Sequence, residues 1–591
     1  MGLFLRRHQR HKNGKDHTYW SLVENQRSPS GKVIQRQALY LGELDQAQQD
    51  AWAALATRLV PPTQPAASQL LLAPPTAPEP PPPPPPPTVH FSQFTLHNPR
   101  QWGACWIAAR LWQTLRLDEF WRARLPPSRE GTHWGHVLQV LVTYRLIDPG
   151  SEFRLHREWF PHSAMADLLG CDLALGAKDN LYRCLDRLLA HRDALFDHLQ
   201  QRWKDLFAAQ FDVVLYDLTS TYFESDPPFP EGDKRRHGYS RDHRPDCVQV
   251  VVALAITPEG LPMAYEVMPG NIQDRQTLVT FLKRIRRRFG KARRTWIMDR
   301  GIPTEETLAL MRRRRHRISY LVGTPKGRLS TLEKRLVDRP WHRAREKVTV
   351  KLVDERDEVF VWVESADRVS KERAMRRRRM KELLRRLKEL KGQAGLGRDD
   401  LLVKLGQAKQ KAGRAYGLVK VVVGKEGEGW SYGIDRARLR MVWRREGRYL
   451  LRTNLTADDP AQLWEMYLRL VEVEAAFRDL KGDLGLRPIY HSKESRVEAH
   501  VFVAFMAYCL HVCLRGHLRR VAGGLTPRAV LEKFARMELI DVHLPLEGGK
   551  TLVLTRRTQP DLDQRLLLER LGWELPENAP PRITEGRGLE A

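Results

Sequence analysis

Cysteine is scarce in this sequence: the six present (Cys105, Cys171, Cys184, Cys247, Cys509 and Cys513) are scattered through 591 residues. That scatter excludes a disulfide-stapled secreted scaffold and points to a reducing, cytoplasmic compartment. Cys509 and Cys513 stand one helical turn apart, but no second pair or His pair follows at metal-site spacing, so core packing is expected of them. Long apolar runs are missing too. The longest, Val501–Leu514, is shorter than the ~20 residues a membrane-spanning helix needs, and His511 interrupts it. Met1–Arg10 is basic with no apolar stretch behind it, so no secretory signal is expected. Acidic charge is also short, with 71 Asp plus Glu against 99 Lys plus Arg, a net of +28. Such an excess calls for a polyanionic partner, nucleic acid before an anionic membrane.

A chain this long predicts about two to four domains. Residues 1–60 are expected to form a small β-rich unit. In it Tyr19–Glu24 and Val33–Leu41 are strands around a turn at Ser28–Gly31, and Asp45–Leu59 is a helix. Residues 61–90 are a proline-rich linker with eight consecutive prolines from Pro80, a stiff polyproline II spacer. Residues 91–209 carry helical stripes, for example Val137, Leu138, Leu141 and Tyr144, and are expected to be an all-α, DNA-contacting domain. From 210 to 323 the pattern turns to α/β. Val213–Tyr216 is a buried strand, Val248–Ile256 and Leu261–Val267 a hairpin, and Gln276–Phe289 a helix. Thr295–Met298 follows as a strand, Thr304–Arg314 as a helix and Ile318–Val322 as a strand, which together suit a mixed sheet flanked by helices. Residues 324–459 read as an insertion of strands (Lys347–Val353, Val359–Glu364, Lys420–Val423) bracketing one or two charged helices over Ala366–Ala415. Residues 460–515 resume the core, and 516–591 form a C-terminal helical region with short strands near Thr551–Leu554.

Three carboxylates stand out. Asp217 ends the Val213–Tyr216 strand and Asp299 ends Trp296–Met298, so each is expected at the carboxyl edge of the sheet, where sites commonly form. A carboxylate there needs a donor, a cation or a metal, although capping the next turn is the commoner use of each alone. Glu474 lies on a helix expected from about Pro460 to Lys481, where Tyr467, Glu474 and Lys481 recur every seven residues on nearly one face. An ion pair to Arg478, one turn on, is the ordinary explanation of Glu474 by itself. Together, three carboxylates suit divalent ions in phosphoryl transfer, since Mg²⁺ takes oxygen ligands and two ions can serve an in-line displacement.

At these residues the sequence resembles bacterial insertion-sequence transposases of the DDE type, in the branch with a Tyr, Arg, Glu, Lys signature. The matching text is "YDLTSTYFE" around Asp217, "HRPDCVQVVVALAITPEGLPMAYEVMPGNIQD" from His243, "WIMDRGI" around Asp299 and "YLRLVEVEAAFRDLKGDLGLRPIYH" around Glu474. "YWSLVENQR" and "RLIDPGSEFRLHREWF" are similar to the same family. The resemblance implies a multidomain α/β protein with a ribonuclease-H-like core, interrupted by a β-rich insertion between Asp299 and Glu474. It implies Asp217, Asp299 and Glu474 as catalytic ligands of two Mg²⁺ ions, with Mn²⁺ as the alternative. Thr219, Arg300, Tyr467, Arg478 and Lys481 would contact DNA. The signature's Arg falls on Leu470, with Arg469 beside it, which departs from the family pattern. The implied partner is double-stranded DNA, both element ends and target, bound by a homodimer in a synaptic complex at the bacterial nucleoid, without a membrane. The arginine clusters Arg286–Arg288, Arg312–Arg315 and Arg376–Arg379 would add sequence-independent affinity, though for the last a solvated helix face is the favoured reading. The competing functions are a metal nuclease that does not rejoin strands and an inactive DNA-binding protein.

Overall fold

The structure is a computed structural model. It describes the chain apart from residues 1–2, 13–14, 28–32, 59–92, 225–228, 241, 243, 273–277, 279–280, 283–284, 286–293, 300, 314–317, 325–339, 356, 394–396, 425–428, 457–458, 548 and 586–591. The expected turn at Ser28–Gly31, the proline linker, most of the Gln276–Phe289 helix, Arg286–Arg288, Arg300, Arg314 and Arg315 therefore lie outside the described residues. The chain divides into two compact units, one of Met1–Gln210, Leu218–Ile272 and Glu472–Ala591, the other of Phe211–Asp217 and Gln273–Val471.

The first unit begins with an antiparallel three-stranded sheet of Leu3–Lys12, Lys15–Arg27 and Val33–Gly42, followed by the helix Gln46–Arg58. The opening strand was not expected. Its run of Arg, His and Lys hid a β-ladder that pairs residue for residue with Lys15–Glu24. Trp52, fully buried, donates its indole N–H to the Val521 carbonyl at 3.1 Å and so ties the first helix to the end of a central helix, Glu494–Val521. That helix is 28 residues long and apolar enough by composition to cross a membrane, yet 94% of its apolar window is buried inside the protein. It packs against Trp134–Ile147 and Lys178–Leu188, whose inward residues include Val137, Leu141, Leu181 and Leu185. Cys509 and Cys513 lie in this core as expected, where burial pushes the Cys513 thiol up to about 12 and Cys509 well up too.

Two expectations for this unit need correction. The 91–209 region is not purely helical: Thr95–Gln101 is a strand, paired antiparallel with Glu538–Pro545. In the last region the strand expected near Thr551–Leu554 formed as Lys550–Arg557, but Glu538–Pro545 and Arg582–Glu585 were not expected, and the three complete a four-stranded sheet with Thr95–Gln101. A strand that closes a sheet with a partner more than 400 residues away has no local signal beyond its own short alternation. The hairpin Val248–Ile256 and Pro262–Pro269 formed as expected, with Gly260 at φ +88 in its turn, a conformation L side chains avoid.

The second unit is built on a mixed sheet. Val213–Phe223 runs parallel to Thr295–Met298, and Thr295–Met298 parallel to Ser319–Thr324. Arg448–Thr453, Glu358–Ser365, Val348–Glu355 and His342–Arg345 then continue it in antiparallel sense. Two of the strands expected in a separate insertion, Lys347–Val353 and Val359–Glu364, are thus part of the same sheet, whereas the third, Lys420–Val423, lies in a hairpin of its own. Arg452 holds this junction, donating to Glu358 at 2.5 Å and to Glu305 at 2.6 Å. What projects from the sheet is an arm of the helices Ala366–Lys391 and Arg398–Ala412, the hairpin Val419–Val423 with Trp430–Ile434, and the helix Arg436–Arg445. Leu383, Leu387 and Leu390 of the first helix pack on Leu401 and Leu405 of the second, giving the arm its own small core.

Candidate active site

In the second unit, register places the two aspartates. The parallel ladder runs from Val213 opposite Thr295 to Tyr216 opposite Met298. Asp217 and Asp299 are therefore the next residues on adjacent strands, roughly 5 Å apart in backbone, with the same pleat phase. Asp217 is half-buried and Asp299 exposed. The expected strand end at Asp217 is corrected: the strand continues to Phe223, because Leu218–Phe223 is rich in β-branched and aromatic residues. It is the partner, Thr295–Met298, that stops, so Asp217 still stands where the ladder ends. Tyr467 donates its hydroxyl to Asp299 Oδ1 at 3.5 Å.

The helix expected over Pro460–Lys481 is two helices, Pro460–Leu468 and Leu470–Lys481, broken at Arg469. The break corrects the idea of one continuous face from Tyr467 to Lys481, although Glu474 and Lys481 share the second helix. It also explains the departure at Leu470, which is buried at 9% exposure while Arg469 beside it is exposed. A guanidinium at 470 would be carried into the core.

In the first unit, Val473, Ala476, Phe477 and Leu480 turn the second helix inward, leaving Glu474 and Arg478 exposed. Among the described residues no ion pair joins Glu474 to Arg478, so the ordinary explanation of Glu474 is not realised. Lys481, by contrast, is engaged: its ammonium donates to Asp242 Oδ1 at 2.7 Å, and Arg487 pairs with the same carboxylate, whose side chain is 5% exposed. Neither Asp242 nor Arg487 was singled out from sequence. A pair 239 residues apart leaves no mark on local pattern. Thr219 is buried in its strand at 4% exposure, away from any surface that DNA could reach directly, and Arg300 is outside the described residues.

A second cluster in the first unit also escaped sequence reasoning. Glu152, His491 and His500 are buried together, with His491 Nε2 3.3 Å and His500 Nδ1 3.9 Å from Glu152 Oε1. Burial pushes the Glu152 carboxyl up, but the two neighbouring imidazoles hold it well below the usual carboxylate range. Three such ligand atoms could surround a cation, yet Arg145 already supplies the positive charge, 4.0 Å from Glu152 and 3.4 Å from His500. The cluster is a buried ionic tie between Trp134–Ile147, the Glu152 turn and the central helix.

Comparisons with known proteins agree with the resemblance. The family model described as the transposase DDE domain matches residues 209–510, about half of the chain, and one described as the IS1634 family transposase N-terminal domain matches residues 5–60. No curated protein matches. Among solved structures the chain is similar to a piggyBac transposase in a synaptic complex with hairpin DNA. That likeness is 7% identical, covers 73% of this chain and 76% of the other, and has a TM-score of 0.35. DDE domains work with divalent metal ions, and the carboxylates ordered as Asp217, Asp299 and Glu474 fall inside the matched region. With a DDE domain over half its length and an insertion-sequence N-terminal domain ahead of it, the chain belongs to the DDE-type transposases, enzymes that cut DNA and transfer its strands.

Proposed function

We propose that this transposase binds the ends of an insertion sequence, cleaves them and joins them to target DNA with Asp217, Asp299 and Glu474 as ligands of two Mg²⁺ ions, Mn²⁺ being able to substitute. The observation that carries the reading is the ladder that stops at Tyr216 and Met298, setting two carboxylates side by side on adjacent parallel strands. The parallel strands with flanking helices fit a ribonuclease-H-like core. With divalent ions bound, such a site has the Lewis acidity for in-line displacement at phosphorus. The chain's own residues do the rest. Tyr467 orients Asp299, exposed Arg478 and Arg469 offer guanidinium forks to phosphate, and Arg300 follows Asp299 directly. Lys481 becomes a phosphate contact only on leaving Asp242. Two ends are processed by two copies of the chain, at the nucleoid in the cytoplasm.

The test is cleavage of an element-end duplex in Mg²⁺, followed by joining of a pre-cleaved end to plasmid DNA. Asp217→Asn, Asp299→Asn and Glu474→Gln should each abolish both steps while duplex binding without metal persists. Unchanged cleavage in any of the three would remove that residue from the site. Cleavage without joining by the parent chain would make it a nuclease.

A further inference from the structure

The arm that projects from the second unit has a face that nothing in the cutting chemistry uses. Its long helix, Ala366–Lys391, carries Arg and Lys at twelve positions against four Asp and Glu. The inward stripe is Met380, Leu383, Leu387 and Leu390. At 100° per residue Arg377, Lys381 and Lys388 fall within roughly 40° of one another on the far side, with Arg378 at their edge. All four are exposed. Among the described residues none of them makes an ion pair, whereas Arg373 and Arg376, nearer the inward side, are spent on buried Glu446. A solvated helix face would intersperse opposite charges at one-turn spacing, as Arg385 with Glu389 does farther along. Arg377, Lys381 and Lys388 have no acid three or four residues away, whereas Glu382 stands one turn beyond Arg378 without pairing with it. The same arm ends in Arg436–Arg445, a helix with no buried residue, on which Arg440 and Arg444 are exposed beside Trp443 at 50% exposure.

We propose that this arm is a second DNA-docking surface, one that holds duplex by its phosphates without reading sequence, and that it serves the target duplex. The proposal rests on the transposase reading above. The stripe spans about 16 Å of helix axis, a length over which duplex DNA presents about ten phosphate charges, so four cations have partners without distortion. Neither helix contains Asn or Gln, the side chains that read adenine by paired hydrogen bonds. Flexible cations on a straight helix give affinity through counterion release, which is blind to sequence. A self-association role is disfavoured by the same charge, since copying the stripe onto itself would oppose like charges. Element ends must be told from other DNA, whereas a target duplex need only be held.

The experiment uses the full chain with Arg377, Arg378, Lys381 and Lys388 all changed to Gln, binding a random-sequence duplex without metal across a salt series. The slope of log affinity against log salt should become shallower by about 3 to 4, at about 0.9 per lost contact. The change should be equal for random and element-end duplexes. In low-salt Mg²⁺ the variant should cut element ends within about twofold of the parent but join them to target at least about tenfold more slowly. A slope within about half a unit of the parent's would overturn the proposal, as would a loss confined to element-end duplex. Should the quadruple variant melt early, Arg377→Gln with Lys381→Gln should lose about 2 units of slope. Because slope is read without metal, a parent chain inactive in cleavage would sink the catalytic reading while leaving this one decided.

Discussion

His500 should make the protein's stability fall between pH 7 and 5 by an amount a single substitution can isolate. Burial lowers its imidazole to about 4, with the Arg145 guanidinium pushing the same way and Glu152 only partly opposing them. An unfolded chain would hold the same proton with an ordinary value near 6.5. Between about 6.5 and 4, then, the unfolded state takes up a proton that the folded state refuses, and stability drops as pH falls through that window. Going from pH 7 to 5, the linkage is worth about 2 kcal/mol from this one group. His500→Gln keeps a polar side chain in the cluster and cannot titrate. Urea unfolding of both proteins at pH 7, 6 and 5 should show the parent losing about 2 kcal/mol more than the variant over that range. Glu152, held low, adds its own loss only below about 4.5, outside the range. Parallel curves for the two proteins would refute the reasoning, because they would mean that His500 is protonated in the fold.

Leu470→Arg, which restores the family's usual residue, should destabilise by several kcal/mol, since position 470 faces the core. Thermal unfolding checks it, and a stable, more active variant would show that the break at Arg469 is not fixed. Asp242→Asn should loosen the hold on Lys481 and let it turn toward phosphate, steepening the salt slope of duplex binding by up to about 0.9. It should also cost about 1–3 kcal/mol of stability for the loss of a buried charged acceptor. An unchanged slope would mean that Lys481 serves only to anchor the 242 loop.

The parts of the fold that were legible in sequence are those with dense local pattern. Val213–Tyr216, the hairpin around Gly260 and the charged helices after Ala366 carry their period and breakers within about ten residues, and all three formed. Leu3–Lys12 and Thr95–Gln101 failed because each is a ladder strand whose hydrogen bonds come from a partner, and whose side chains are mostly polar. Asp217 and Asp299 could be picked out because an acid closing an apolar run is conspicuous. Their adjacency could not, since it depends on which residue of one strand meets which of the other. Helix continuity through 460–481 was overread. Seven-residue recurrence survives a one-residue interruption almost unchanged, so Tyr467 and Glu474 kept their spacing while the helix between them broke. Asp242 and the Glu152 cluster were invisible because ion pairing across hundreds of residues has no local trace.

The tie between Trp52 and Val521 has a consequence for how the protein is made. The two residues are 469 apart, and the Thr95–Gln101 strand waits almost as long for Glu538–Pro545. At about 5–20 residues per second, a ribosome needs roughly half a minute to a minute and a half to deliver those partners. Throughout that time the nascent amino-terminal region has a tryptophan without its slot and a strand without its neighbour. Its completion therefore waits until Val521 and Glu538–Pro545 have been made.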